Sequence, residues 1–95
     1  MMLSVVDAVY LGNYKISLSF NDKNTGIADL YEVIFNDNRV PFLALRNESA
    51  FERFKIEHDT IVWENGLDLA PEFLFFMSFK GHSEFKNQFE AWGYL

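Results

Sequence analysis

The chain contains no cysteine among its 95 residues. Disulfides, thiolate nucleophiles and cysteine-based metal sites are therefore excluded. The absence fits a reducing compartment. Histidine is scarce too, with only His58 and His82. Neither forms a His-x-x-His or Glu-x-x-His pair, so helical zinc chemistry lacks its geometry. His58 beside Asp59 reads more simply as a turn residue. The five glycines are dispersed. None builds a Gly-rich turn opening a helix, so no phosphate cradle is expected. No serine lies in a Gly-x-Ser-x-Gly elbow. Positive charge is also short: 8 basic residues face 14 acidic ones, a net charge of −6. That sign repels phosphate backbones and anionic bilayers, so direct nucleic-acid and membrane binding are not expected. The longest apolar run, Phe73 to Met77, is far below the roughly 20 residues needed to span a bilayer. The first residues, Met1 to Asp7, lack the pattern of a secretory signal. A soluble, cytoplasmic, bacterial protein is expected, with no metal and no cofactor.

What the chain has is apolar and aromatic mass. Hydrophobic residues make up 49% of it, and 11 Phe, 4 Tyr and 2 Trp bring the aromatics to 18%. That is enough for one packed domain, with no room for a second core. The pattern predicts an α+β fold. A small antiparallel sheet of about five strands packs against a short central helix, with C-terminal helices following. The region 1–78 reads as the domain and 79–95 as a helical extension.

Leu3 to Leu11 is β-rich and mostly apolar, and Gly12-Asn13 ends it as a turn. Tyr14 to Phe20 alternates cleanly. Tyr14, Ile16, Leu18 and Phe20 share a buried face, opposite a wet face of Lys15, Ser17 and Ser19. Asn21 to Asn24 is a polar loop. Thr25 to Tyr31 reads as the returning strand, with Ile27 and Tyr31 on one face and Asp29 between them. Pro41 is expected to keep Val40 out of helix. Asn47 caps a helix from Glu48 to about Lys55. Lys55-Ile56-Glu57 and Thr60 to Trp63 form a hairpin around His58-Asp59. Asn65-Gly66 reverses the chain. Asp68 then caps, and Pro71 opens, a helix running to about Ser78 and broken by Gly81. Ser83 caps a last helix from Glu84 to Trp92, stopped by Gly93.

At Trp63, Asn65, Gly66, Asp68, Pro71 and Glu72 the chain resembles the bacterial domain of unknown function 2442 family, whose ending reads Trp-x-Asn-Gly-x-Asp-x-x-Pro-Glu. Tyr14 to Phe20 matches its first strand, Asp29-Leu30 its acidic segment, and Leu45 and Phe51 its helix region. The resemblance covers roughly residues 5 to 77. The loop at Asp22-Lys23-Asn24 departs from the family's Asp-Gly turn, and Phe79 to Leu95 looks like an extension. The family has no established activity. Its members resemble partners of small toxin-like proteins, and some look fused to DNA-binding helical domains. The resemblance therefore implies an accessory, antitoxin-like interaction role.

Glu64, Asp68 and Glu72 recur every four residues, and acid–base chemistry needs two such groups facing one cleft. Asn65-Gly66 and Pro71 interrupt any helix that would align them, so a capping role is expected instead. Asp29 reads as a structural hydrogen-bonding acid. No catalytic residue is assigned. The aromatic stripe Phe85, Phe89 and Trp92, at i, i+4 and i+7, is the candidate partner-binding surface. Packing on the protein's own sheet is the competing role. The expected function is a non-enzymatic interaction module that meets a protein partner, self-associates, or both. The alternative is a small-molecule-sensing domain with a pocket lined by Trp63, Phe51 and Tyr31.

Overall fold

Gly12, at φ +88°, lets the chain turn back between two strands, β1 (Val5–Gly12) and β2 (Lys15–Phe20). The next two residues, Asn13 and Tyr14, also have positive φ. A third strand, β3 (Thr25–Asp29), returns along the other side of β2. The computed structural model describes residues 2–95. Its first sheet has the order β1-β2-β3, antiparallel throughout. The alternation in β2 sorts as its pattern predicts. Ile16, Leu18 and Phe20 are buried, whereas Lys15 is exposed and Ser17 and Ser19 are half-buried. Tyr14 is buried ahead of β2, in the turn.

Three short helices follow, α1 (Tyr31–Asn36), α2 (Val40–Ala44) and α3 (Glu48–Phe51). Asn47 caps α3 as expected, its side chain accepting from the backbone N–H groups of Ser49 and Ala50. The helix ends at Phe51, not near Lys55, because β4 begins at Lys55. Tyr31 is no strand residue: it opens α1 and stacks on Phe35 one turn later, with centroids 4.4 Å apart. Val40 is helical, contrary to the proline argument. Arg39, with ψ 146°, takes the extended conformation at the cap, and Pro41 falls within the first turn, where its missing N–H is harmless.

A second antiparallel sheet contains β4 (Lys55–Glu57), β5 (Thr60–Val62) and β6 (Asp68–Leu69), in that order. His58 and Asp59 turn the β4–β5 hairpin with φ of 51° and 69°. Among the described residues six strands in two sheets thus replace the single sheet of about five. The sheets touch where the Val5 N–H donates to the Asp59 carbonyl at 2.9 Å.

The chain closes with α4 (Pro71–Phe79), a single 3₁₀ turn at Ser83–Phe85, and α5 (Lys86–Trp92). Gly93, left-handed at φ 85°, stops α5 as expected. Ser83 makes no capping bond; Phe85 occupies the α5 cap position. Helix α4 lies under the inner face of β3. A Cβ on Gly26 would stand 2.7 Å from the Phe79 ring, so glycine alone permits this approach. Ile16, Leu18, Phe51, Ile61, Leu74 and Phe89 all belong to one core. The segment 79–95 is joined to the rest of the molecule through that core.

Candidate functional site

The Trp63 to Glu72 segment is a hairpin followed by a helix start. Gly66, at φ 88°, donates to the Trp63 carbonyl at 3.0 Å, and Trp63 N–H donates to the Leu67 carbonyl at 2.9 Å. Asn65 braces this turn twice. Its Oδ1 accepts from Leu67 N–H at 3.1 Å, and its Nδ2 donates to the Pro41 carbonyl at 3.0 Å. Trp63 is 2% exposed, and its indole N–H donates to the Phe51 carbonyl at 2.8 Å. Thr60, also buried, donates to the Leu69 carbonyl across the sheet. The motif therefore ties α2, α3 and the second sheet together. Pro71 opens α4 within its first turn. Asp68 corrects its expected role: it lies in β6, paired with Val62, and the α4 cap residue is Ala70, with no side-chain bond. Closure of the turn at Trp63–Leu67 carries Asp68 into the ladder before the helix begins.

The carboxylates do not converge. Glu64 and Asp68 are exposed, with Glu64 beside the Asn65 turn. Glu72 is half-buried and lines a different cleft, with Asp22, Phe75 and Trp92. Asp29 accepts the Tyr31 N–H at 3.1 Å, which is the structural role expected of it. Among the described residues no group of three or more His, Asp or Glu side chains is placed to hold a metal ion.

No cavity forms between Trp63 and Phe51. Their rings pack at 5.5 Å, and Phe51 is fully buried. Tyr31 lies elsewhere, on the wall of an open cleft of about 510 Å³ with Lys15, Asp29, Glu32, Met77 and Lys80. The pocket expected from the three aromatics is thus absent, because two of them fill the core.

The tail stripe is also committed internally. Phe89 is fully buried, packing on Phe75 and Phe76 at 6.1 and 5.0 Å. Phe85 and Trp92 are half-buried, at 5.0 and 6.0 Å from Phe75. The stripe Phe85, Phe89 and Trp92 is therefore no free patch. The i, i+4, i+7 spacing marks a buried helix face, because α4 presents phenylalanines of its own to cover.

A different surface stands open. The outer face of the first sheet carries the row Val9–Ser17–Ile27, with Val9 53% and Ile27 54% exposed. Val6 and Leu11 are similarly exposed at the two irregularities of β1. Among the described residues no helix covers this face, since α4 packs on the Gly26 side of β3. Scattered apolar residues on a surface are ordinary, whereas an uncovered apolar row on a sheet face is a candidate docking surface. Apolar residues at both parities of Val5 to Leu11 are the sequence signal for it, because a half-buried strand should alternate.

Beside this sheet a phenol network fastens the β1–β2 turn to α3. Tyr10 Oη donates to Glu48 Oε1 at 2.5 Å, and the same oxygen accepts from Asn13 N–H at 3.2 Å. Tyr14 Oη donates to the Arg46 carbonyl at 2.7 Å. Desolvation, and then the Glu48 carboxylate, hold both phenols above the ordinary value of 10.0.

The family described as "Protein of unknown function (DUF2442)" matches residues 5–79. The chain belongs to the DUF2442 family. No curated protein and no solved structure matches it. The DUF2442 span starts at the first residue of β1 and ends at the last residue of α4. It therefore contains both sheets, the Trp63 hairpin and the open sheet face. The stripe of α5 lies beyond it, so the surface built from DUF2442 residues is the outer face of β1, β2 and β3.

Proposed function

We propose that this DUF2442 chain is a non-enzymatic interaction module whose outer sheet face binds a protein partner. The Val9–Ser17–Ile27 row, uncovered and apolar, is the observation that carries the reading. Dispersal of Glu64, Asp68 and Glu72 supports a non-catalytic role, since acid–base chemistry needs two carboxylates at one centre. The net charge of −6 supports a basic partner, steered by complementary charge in the antitoxin-like manner of the family resemblance. No helix among the described residues is long and apolar enough to cross a membrane.

The test is affinity capture from cells that express the protein natively, using the wild type and Val9→Lys. A stoichiometric partner held by the wild type and lost with Val9→Lys, at an unchanged melting temperature, supports the module. A wild type that brings down no partner and does not self-associate overturns it.

The cleft of about 510 Å³ beside Tyr31 favours a second reading, a small-molecule sensor. Its volume falls within the usual range for ligand sites. A thermal-shift screen separates the two, since a true ligand stabilises by several degrees with no partner present.

A further inference from the structure

The first sheet has two edges, and they are not alike. The β1 edge is broken by register irregularities between Val5 and Asp7 and between Tyr10 and Gly12. It also meets the second sheet through the Val5–Asp59 bond. Bulges and covering elements are how proteins blunt an edge. The β3 edge has no bulge, and α4, packed against its inner face at Gly26, leaves Thr25, Ile27 and Asp29 exposed. It pairs with β2 in unbroken register from Thr25 to Asp29 and, among the described residues, has no strand on its other side. It contains no proline and no lysine.

The ladder fixes which backbone groups point outward. Leu30 N–H donates to the Tyr14 carbonyl and Phe20 N–H to the Asn24 carbonyl, both at 2.9 Å. Between these ends Ile16 faces Ala28 and Leu18 faces Gly26. Hydrogen-bonded pairs alternate in an antiparallel ladder. The N–H and C=O groups of Gly26 and Ala28 therefore turn toward β2, and those of Thr25, Ile27 and Asp29 turn away from it. All three of these residues are exposed.

We propose that this edge pairs with the β3 edge of a second copy, about a two-fold axis at Ile27. This deepens the interaction-module reading and rests on it. Only that register sets every outward residue opposite an outward residue: Thr25 on Asp29, Ile27 on Ile27, and Asp29 on Thr25. Each such pair exchanges two N–H···O bonds. A shift of one position either way leaves an outward residue of each strand without its counterpart. The side chains fit the same axis. The two Ile27 side chains meet on the outer face. The Thr25 hydroxyl faces the Asp29 carboxylate, and no like charges stand opposite. The Val9–Ser17–Ile27 row of one copy then runs on into Ile27–Ser17–Val9 of the other. Isologous pairing of this kind is how two-fold dimers are built.

Sedimentation equilibrium of the full chain from about 5 to 500 μM tests this, because so short an edge belongs to the small, weaker class of interface. The wild type is expected to reach a dimer within that range. Ile27→Lys places two ammonium groups at the axis and is expected to raise the dimer Kd at least tenfold, with an unchanged melt. Val9→Lys lies on the same face but two strands from the edge, and is expected to leave the Kd within about twofold. Exchange of the Ile27 amide is expected to slow as wild-type concentration rises. A wild type that stays monomeric, a dimer indifferent to Ile27→Lys, or a dimer weakened equally by Val9→Lys overturns the edge pairing. None of those results touches the capture of a different partner, so the two readings fail separately.

Discussion

Replacing Gly66 isolates the backbone contribution of the Trp63 hairpin. Gly66 has φ 88°, and a Cβ built on it meets no atom within 4 Å. No clash arises, so any destabilisation comes from conformation alone. Holding an L-residue in the left-handed region costs roughly 1–2 kcal/mol, and asparagine tolerates it best. A β-branched residue is stiffer still, so Gly66→Val should destabilise by about 1–3 kcal/mol. The expected order of loss is Asn, then Ala, then Val. In a domain of this size about 1 kcal/mol moves the melting temperature by roughly 4–8 °C. Thermal and urea melts followed by circular dichroism give the three values, with an m-value unchanged from the wild type. A neutral Gly66→Val, or an Asn variant as damaged as the Val one, would refute the assignment of this turn.

Trp63→Phe leaves the buried Phe51 carbonyl without its 2.8 Å donor and should lower stability by about 1–3 kcal/mol in urea melts. Phe89→Ala empties a fully buried site and should cost about 3–5 kcal/mol, enough to unfold much of the chain; a stable, folded variant would show that the α5 stripe is peripheral. Arg46→Met keeps the stem against Phe35 but removes the guanidinium that donates to the Phe35 and Asp37 carbonyls at 2.9 and 3.2 Å; a loss of about 1–3 kcal/mol is expected. Tyr10, Tyr14 and Tyr94 all titrate above 10.0 in the folded chain, chiefly through burial. The fold therefore favours the neutral phenols. Their contribution is complete below pH 10.0 and is lost as pH rises through the folded values, so Tyr10→Phe should flatten the alkaline fall in stability.

Local chemistry was legible wherever one residue type has one job. Asn47 caps, His58-Asp59 and Gly66 turn, Pro71 starts a helix, and Gly93 stops one. The alternation from Tyr14 to Phe20 named a buried face correctly, because a period of two has few other readings. Strand pairing was not legible. Whether Lys55 to Val62 joins β1 and β2 in one sheet depends on contacts distant in sequence, and the structure joins them by the Val5–Asp59 bond while each keeps its own ladder. Asp68 and Leu69 form a strand of only two residues, too short to show a period. The first two helices, α1 and α2, have no side-chain cap at their N-termini, and Pro41, which opens α2, reads equally well as a helix breaker. Arg46, which closes the end of α1 from beyond α2, carries no local signature at all.

The candidate site moved for a related reason. An aromatic stripe on a helix and an apolar residue on a wet strand both hint at an interface, but they answer to different neighbours. Helix α5 follows a helix whose exposed turn would otherwise leave Phe75 and Phe76 in water, so Phe85, Phe89 and Trp92 are drawn inward. Burying them gains roughly 25 cal/mol for each square ångström removed from water, with no second chain to order. The outer face of the first sheet has no such internal cover, because the glycine at 26 brings α4 tight against the inner face. Val9 and Ile27 can therefore leave water only by meeting another molecule. A short chain rich in aromatics satisfies its own rings first, and the surface left over is found where the topology has no further element to supply.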